Sequence, residues 1–142
     1  MKHPLLMLLA LTLSASACTT SANTSTPATI TTPSVALTTE TITGTVPVGG
    51  SDIHNVVLSQ TGELDVTLTA AGPPSTIFMG LGIGTVSGSS CVFLSGATTN
   101  VQAGTSPQLS GSSVAAGTYC VAVYDIGNQA SPVTYSLTVV HS

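Results

Sequence analysis

Residues 64–69 read Leu-Asp-Val-Thr-Leu-Thr, a strict alternation of apolar and polar side chains. A period of two places the apolar side chains on one face of a β-strand and the polar ones on the other. One face of this strand is therefore expected to be buried and the other to be exposed to solvent, as in a sheet that covers a core on one side. The stretch predicts one strand of an antiparallel sheet.

The same alternation continues on both sides of this strand and is broken every eight to twelve residues by Gly, Pro, Asn or Asp. That spacing is typical of an all-β sandwich. We expect about 7–8 antiparallel strands in a jelly-roll-like β-sandwich, with a polar excursion over 96–107 and no helix outside the N-terminal segment. The first strand is expected to turn Ile42, Val46 and Val48 inward.

The charge composition excludes several classes of function. Only 4% of the 142 residues are charged, and Lys2 is the single Lys or Arg. Proteins that bind DNA or RNA neutralise phosphates with Lys and Arg, so nucleic acid is not an expected partner. The same lack argues against a phosphate-binding lysine, an arginine clamp and a Schiff-base lysine, and no cofactor is predicted.

The N-terminus has the order of an export signal. Lys2 is followed by an apolar run over 5–13 and by small residues up to Ala17, directly before Cys18. The run is about half the length that a membrane-spanning helix needs, so we expect residues 1–17 to be a cleaved signal peptide. Ala15-Ser16-Ala17-Cys18 resembles the lipobox of bacterial lipoproteins, with Ala15 where Leu is commoner.

The lipobox resemblance implies that a lipid is attached to Cys18 and that the chain is held at a membrane. Thr19 after the cysteine favours the outer membrane of a Gram-negative bacterium. The alternative is ordinary cleavage after Ala17, which would release a secreted protein. Residues 18–39 follow as an uncharged tether rich in Ser and Thr, and residues 40–142 form the predicted sandwich domain.

The cysteine count supports a lipid on Cys18. Three cysteines leave one unpaired in an oxidising compartment, and lipidation would account for it. Cys91 and Cys120 then remain as a pair on strands of one sandwich. We expect them to form a disulfide, because no partners for a metal site lie near them in sequence.

Several strand motifs of the domain carry a family resemblance. They are Asp52-Ile53-His54-Asn55-Val56, Leu64-Asp65-Val66-Thr67-Leu68, Ala116-Gly117-Thr118-Tyr119 and Tyr135-Ser136-Leu137-Thr138-Val139. In this order they resemble the bacterial pre-peptidase C-terminal domain. The resemblance implies a β-sandwich accessory domain of exported proteins. Val56 stands where the family usually has Phe, and Met79-Gly80-Leu81-Gly82 replaces its Asp-Leu-x-Leu segment.

One strand presents an unusual face. Gly80, Gly82 and Gly84 alternate with core-type residues and follow Phe78 on the same face. No helix is predicted after them, so this is not a nucleotide loop. Glycines on a strand face indicate close packing of another layer or the approach of a partner. With Tyr124, these residues form the candidate binding surface.

The remaining polar residues favour structural interpretations. His54 and His141 would need to meet Asp52, Asp65 or Asp125 to form a catalytic or metal site, and neither site is predicted. Glu63 and Asp65 are expected to be exposed charges about 7 Å apart. Asp125 and Asn128 are expected to form a turn.

These observations predict a non-catalytic, lipid-anchored protein of the cell envelope that contacts a protein or surface partner. Two alternatives remain open. One is a carbohydrate- or matrix-binding module, for which the chain has few aromatic residues and no Trp. The other is a hydrolase, which would require His54 to lie near a carboxylate or serine that could serve it.

Overall fold

The computed structural model describes residues 34–142, and these form an all-β sandwich. The predicted signal peptide, Cys18 and most of the predicted tether lie outside the described residues. The eight strands are β1 (Thr38–Val46), β2 (Ser51–Leu58), β3 (Gly62–Gly72), β4 (Met79–Ser87), β5 (Ser90–Val101), β6 (Leu109–Val114), β7 (Gly117–Tyr124) and β8 (Val133–His141). Residues 34–142 contain no helix that is long and apolar enough to span a membrane.

The strands form two four-stranded sheets. Sheet A has the order β1-β8-β3-β6, sheet B has the order β2-β7-β4-β5, and every pairing is antiparallel. This is the strand order of a jelly roll. The predicted fold class, an antiparallel sandwich of about 7–8 strands, is confirmed.

The core lies between the two sheets and is built from the inward positions of the alternating strands. The apolar residues that alternate along β3, Leu64, Val66 and Leu68, are buried. They pack in one cluster with Met79, Leu81, Val121, Val123, Leu137 and Val139 from neighbouring and facing strands. Burial of this apolar surface is the main term that stabilises the fold.

Two details differ from the expectation. Val48 is 53% exposed, because β1 ends at Val46 and the chain turns at Pro47, whose carbonyl accepts a hydrogen bond from the Gly50 N–H. The predicted polar excursion over 96–107 is partly wrong, because β5 continues to Val101. Its polar residues Thr98 and Asn100 pair with Gly82 and Gly80 of β4, so backbone pairing holds them in the sheet without apolar side chains.

The first strand lies near the start of the predicted sandwich domain. β1 begins at Thr38, two residues before the expected start at residue 40. All nine residues of β1 pair with β8, from Thr38 with His141 to Val46 with Val133. The division between tether and domain stays a prediction.

Candidate functional site

The glycines of β4 form the floor of a surface on the outer face of sheet B. Met79, Leu81 and Ile83 point into the core, so the alternation turns the intervening glycines outward. A Cβ on Gly80 would lie 2.1 Å from the Tyr124 ring, and a Cβ on Gly82 would lie 2.5 Å from the Phe93 ring. The two glycines are buried because these rings lie directly on them.

The two aromatic rings form a pair across the strand that carries the glycines. Tyr124 ends β7 and Phe93 lies in β5, and both strands pair with β4. Their ring centroids are 5.6 Å apart with an angle of 31° between the planes. Tyr124 was expected on this surface from the sequence, whereas Phe93 was not. Phe93 could be found only from the register between β5 and β4, which places its ring over the glycines.

The disulfide lies at the other end of the glycine row. Cys91 and Cys120 are bonded, as expected, and join β5 to β7. A Cβ on Gly84 would come within 2.9 Å of the Cys91 Sγ and still closer to the Val92 carbonyl. Each of the three glycines is thus matched to a group that covers it.

The rest of this outer face is uncharged and carries exposed apolar side chains. Asp52 is the one charged residue in the four strands of sheet B, and it lies on the inward face of β2. Ile53 and Val57 alternate outward on the same strand, and Val57 is 60% exposed. An open groove of about 410 Å³ runs between Ile53 and the pair of Phe93 and Tyr124. We call this surface the sheet B face: Ile53, Val57, Val86, Phe93 and Tyr124 over the glycines of β4.

Phe78 lies just before β4, at the end of the sheet B face, and its side chain is exposed. The loop after β7 supports this end. The Asn128 side chain donates a hydrogen bond to the Phe78 carbonyl, and the Asp125 carboxylate accepts hydrogen bonds from the N–H groups of Gly127 and Asn128. The structure thus places Asp125 and Asn128 in a turn, as expected.

Asp125 also ties the turn to the loop between β1 and β2. Its second carboxylate oxygen accepts a 2.7 Å hydrogen bond from the Gly49 N–H. This bond, with those from Gly127, Asn128 and Gln129, holds the pKa of Asp125 below its ordinary value. Asp125 is therefore a structural carboxylate that borders the groove.

A second cluster lies on the inner side of β2, at the edge of the sandwich. The Tyr135 hydroxyl donates a 2.9 Å hydrogen bond to the Asp52 carboxylate and lies 2.7 Å from the His54 Nε2. His54 Nε2 is also 3.5 Å from an Asp52 oxygen. A Cβ on Gly44 would overlap the Asp52 carboxylate, so any larger residue here would displace the groups of the cluster.

The cluster bears on the hydrolase alternative. His54 Nε2 and Asp52 are 3.5 Å apart, a gap that a small shift or one bridging water could close, so distance gives no argument against a hydrolase. However, the Tyr135 hydroxyl occupies the position between the two groups and bonds to both. Burial and the Asp52 carboxylate raise the pKa of Tyr135 far above its ordinary value, which keeps the phenol protonated. A protonated, hydrogen-bonded phenol is a structural link and not an activated nucleophile.

Three further acidic residues and His141 form contacts of their own. His141 is buried, and its Nε2 lies 3.2 Å from a Glu40 carboxylate oxygen, joining β8 to β1. A hydrogen bond with the Asp65 carboxyl and the charge of that group raise the pKa of Glu63 above its ordinary value. Within residues 34–142, no three His, Cys, Asp or Glu side chains are grouped to hold a metal ion.

Comparison with known proteins places the sandwich in a family. The pertactin family model matches residues 53–142, which is more than half of the chain and begins within β2. The chain belongs to the pertactin family. The sheet B face and the His54 cluster lie largely within the part that matches. The lipobox and the resemblance to the pre-peptidase C-terminal domain stay predictions for this pertactin-family chain.

Several solved structures are similar to this chain. The crystal structure of Aeromonas hydrophila PliG, a periplasmic lysozyme inhibitor of g-type lysozyme, matches with a TM-score of 0.48 and 19% sequence identity. The match covers 71% of this chain and 83% of that one. A search of the curated proteins returned no match. No functional conclusion follows from a structural likeness at this level.

Proposed function

We propose that this chain is a non-catalytic protein of the bacterial cell envelope that is anchored by a lipid on Cys18 and docks a protein partner on the sheet B face. The observation that carries the proposal is a face that exposes Ile53, Val57, Val86 and Phe93 and has a charged group, Asp125, only at its border. Contiguous exposed apolar side chains on a soluble domain mark interaction sites.

The chemistry of the face favours a protein partner. Aromatic residues are enriched and charged residues depleted at the centre of protein interfaces. Phe93 and Tyr124 are held by their glycine floor and by each other, so they lose little side-chain freedom on binding. Preorganised aromatic anchors of this kind are typical of residues that dominate binding energy.

The outer face of sheet A differs in chemistry from the sheet B face. The outward positions of β1, β8 and β3 are mostly hydroxyl-bearing, with Thr41 pairing with Thr138 and Thr138 with Thr67. A strand face built from hydroxyls offers few apolar anchors. The difference between the two faces supports placing the partner on sheet B.

Site-directed photocrosslinking in intact cells tests this assignment. A benzophenone amino acid at Val57 is expected to yield a discrete crosslinked protein band, whereas the same group at Thr41 or Thr138 on sheet A yields none. A second arm adds Phe93→Ala, which is expected to reduce the Val57 product several-fold. Equal products from both sheets, or none from Val57, would contradict the proposal.

A carbohydrate-binding module is the second candidate, and the pairing of Phe93 with Tyr124 is the observation that favours it. Aromatic rings can stack on sugar rings, although one pair is a small platform. Binding of the purified protein to a glycan array, lost on Tyr124→Ala, would support this candidate and displace the protein partner. A blank array together with a crosslinked protein would reject it.

A further inference from the structure

A separate pocket opens at the edge of the sandwich away from β1 and β2. It lies between β5, the edge strand of sheet B, and β6, the edge strand of sheet A. Its rim includes Leu94 and Ala97 from β5 and Val114 from β6. The sheet B face and the His54 cluster share none of these residues.

The pocket exists because β5 is interrupted by a bulge. Gly84 pairs with Phe93 and Gly82 pairs with Thr98, so residues 94–97 of β5 stand opposite Ile83 alone. Gly96 within the bulge has a positive φ of 75°, which side chains other than glycine rarely adopt. Bulges at sheet edges redirect side chains and end regular pairing, and here the bulge leaves a gap between the sheets.

The floor of the pocket is the hydrophobic core itself. Leu64, Ile83 and Leu109 line it, and each is less than one tenth exposed. Leu94 at the mouth is 40% exposed. An entering group would therefore touch core side chains and would cover an exposed leucine, and both contacts remove apolar surface from water.

The size of the pocket limits the ligand. Its volume is about 260 Å³. An apolar cavity of about 150 Å³ suffices for benzene, and pockets for drug-sized molecules start at about 300 Å³. The pocket therefore matches one ring or one alkyl chain of moderate length.

The charges of the chain limit the ligand further. The lining residues are apolar side chains, glycines and the serines Ser95 and Ser110, with no titratable group among them. Residues 34–142 hold no Lys or Arg and have five Asp or Glu. A carboxylate or phosphate head would find no cation and would meet a negative field, whereas a neutral hydroxyl or ester could accept or donate at the serines.

We propose that this pocket binds the alkyl chain of a neutral aliphatic molecule, such as a fatty alcohol or an acyl ester, with its polar head at the serines of the mouth. The occupant is a free small molecule. The protein used to test it carries Cys18→Ser, so that no acyl group attached to the chain can compete for the pocket.

The test is an NMR titration of methyl-labelled protein with 1-octanol and, in parallel, with octanoate. The two probes share a chain length and differ in the charge of the head. We expect saturable shifts of the methyl signals of Leu64, Ile83 and Leu109 with 1-octanol. Octanoate is expected to bind at least about tenfold more weakly, since its charge would be desolvated without a partner.

Two substitutions at neighbouring exposed positions of β5 form a matched pair. Leu94→Asp places a charge at the mouth and is expected to weaken 1-octanol binding at least about tenfold. Val92→Asp, at a residue that is 54% exposed and does not line the pocket, is expected to leave binding within about twofold. Ala97→Phe fills the pocket from the rim and is expected to abolish binding without a charge.

Three results would overturn the proposal. They are the absence of saturable shifts with 1-octanol, equal binding of octanol and octanoate, and shifts of equal size at core methyls remote from the pocket, such as those of Leu58 and Val123. The last result would indicate general loosening of the core by an alcohol. Unfolding midpoints of the three variants show whether each is folded when binding is measured.

Discussion

At the scale of single residues, Gly44 has the most specific role in the molecule. It lies in β1 opposite Tyr135 of β8, and its missing side chain makes room for the Asp52 carboxylate and the Tyr135 hydroxyl. Most glycines within strands weaken them, and replacement by alanine usually stabilises a protein slightly. Gly44 is expected to reverse that trend.

Gly44→Ala is expected to lower the free energy of unfolding by about 1 to 3 kcal/mol, the usual cost of overpacking. A Cβ at this position would lie 2.6 Å from the Tyr135 hydroxyl oxygen, so the hydrogen bonds of the cluster would have to shift. Urea unfolding measures the effect. Thr43→Ala, at the next residue on the exposed face of β1, is the control and should change stability by less than about 0.5 kcal/mol. A neutral or stabilising Gly44→Ala would refute this role.

Tyr135 is expected to ionise at a higher pH than an ordinary tyrosine. Burial, followed by the hydrogen bond and the charge of Asp52, raises its pKa well above the ordinary value of 10.0. Because the unfolded chain ionises at the ordinary pKa, the stabilisation from this group is complete below about pH 10 and is lost as the pH rises further.

Ultraviolet absorbance near 295 nm, recorded from pH 8 to pH 12 for the natural chain and for Tyr135→Phe, measures this ionisation. The difference between the two titrations is expected to show little phenolate at pH 10 to 11. Unfolding midpoints over the same range should fall less steeply for Tyr135→Phe. A difference titration centred at the ordinary pKa would show that Tyr135 is not held by the cluster.

At the scale of elements, the disulfide crosslinks the two strands that flank β4. β4 is flanked by β7 and β5, and the Cys91–Cys120 bond joins these two neighbours at the end of the glycine row. The two cysteines are 29 residues apart in sequence. A crosslink over this distance restricts the unfolded chain considerably.

Replacing both cysteines, with Cys91→Ser and Cys120→Ser, is expected to lower the free energy of unfolding by about 3 to 4 kcal/mol. Guanidinium denaturation of oxidised natural protein, reduced natural protein and the double variant measures the effect. Reductant should destabilise the natural chain and leave the double variant unchanged. Equal stability of all three samples would mean that the crosslink does not restrict the unfolded state.

Some strands could be predicted from the sequence and others could not. The alternation in β3 predicted its buried face correctly, since Leu64, Val66 and Leu68 are all in the core. The second half of β5 was missed, because Thr98 and Asn100 lack the apolar alternation that marks a half-buried strand. Their strand state comes from backbone pairing with β4, which is a contact between distant parts of the chain.

At the scale of the whole molecule, the described domain has two different outer faces and two different edges. Sheet A exposes hydroxyls, whereas sheet B exposes apolar and aromatic side chains without charge. Because the strands of this surface present no charge outward and only Asp125 borders its groove, the proposed docking would depend little on ionic strength. A lipid on Cys18 would hold such a domain at the membrane, where its partner is expected.

The predicted location of the protein at a membrane depends on the predicted lipid on Cys18. Protein extracted from membranes with detergent is expected to have an intact mass above that of residues 18–142, by the mass of the attached acyl groups. Cys18→Ser should lack this increment and should leave the membrane fraction. An unmodified mass for the natural chain would end the lipoprotein hypothesis and favour the secreted alternative.

The sequence by itself determined the all-β class and the inward residues of the alternating strands, and it predicted the Cys91–Cys120 pair on the condition that Cys18 carries a lipid. The fold class and the inward residues follow from a local period of two, and the cysteine pair follows from the count of cysteines. None of these predictions requires knowledge of the sheet order. The tertiary structure alone decided that Phe93 covers Gly82, that Tyr135 joins Asp52 to His54, and that a pocket opens beside the bulge in β5. These features depend on register and sheet order between residues up to 83 positions apart, which local periodicity does not encode.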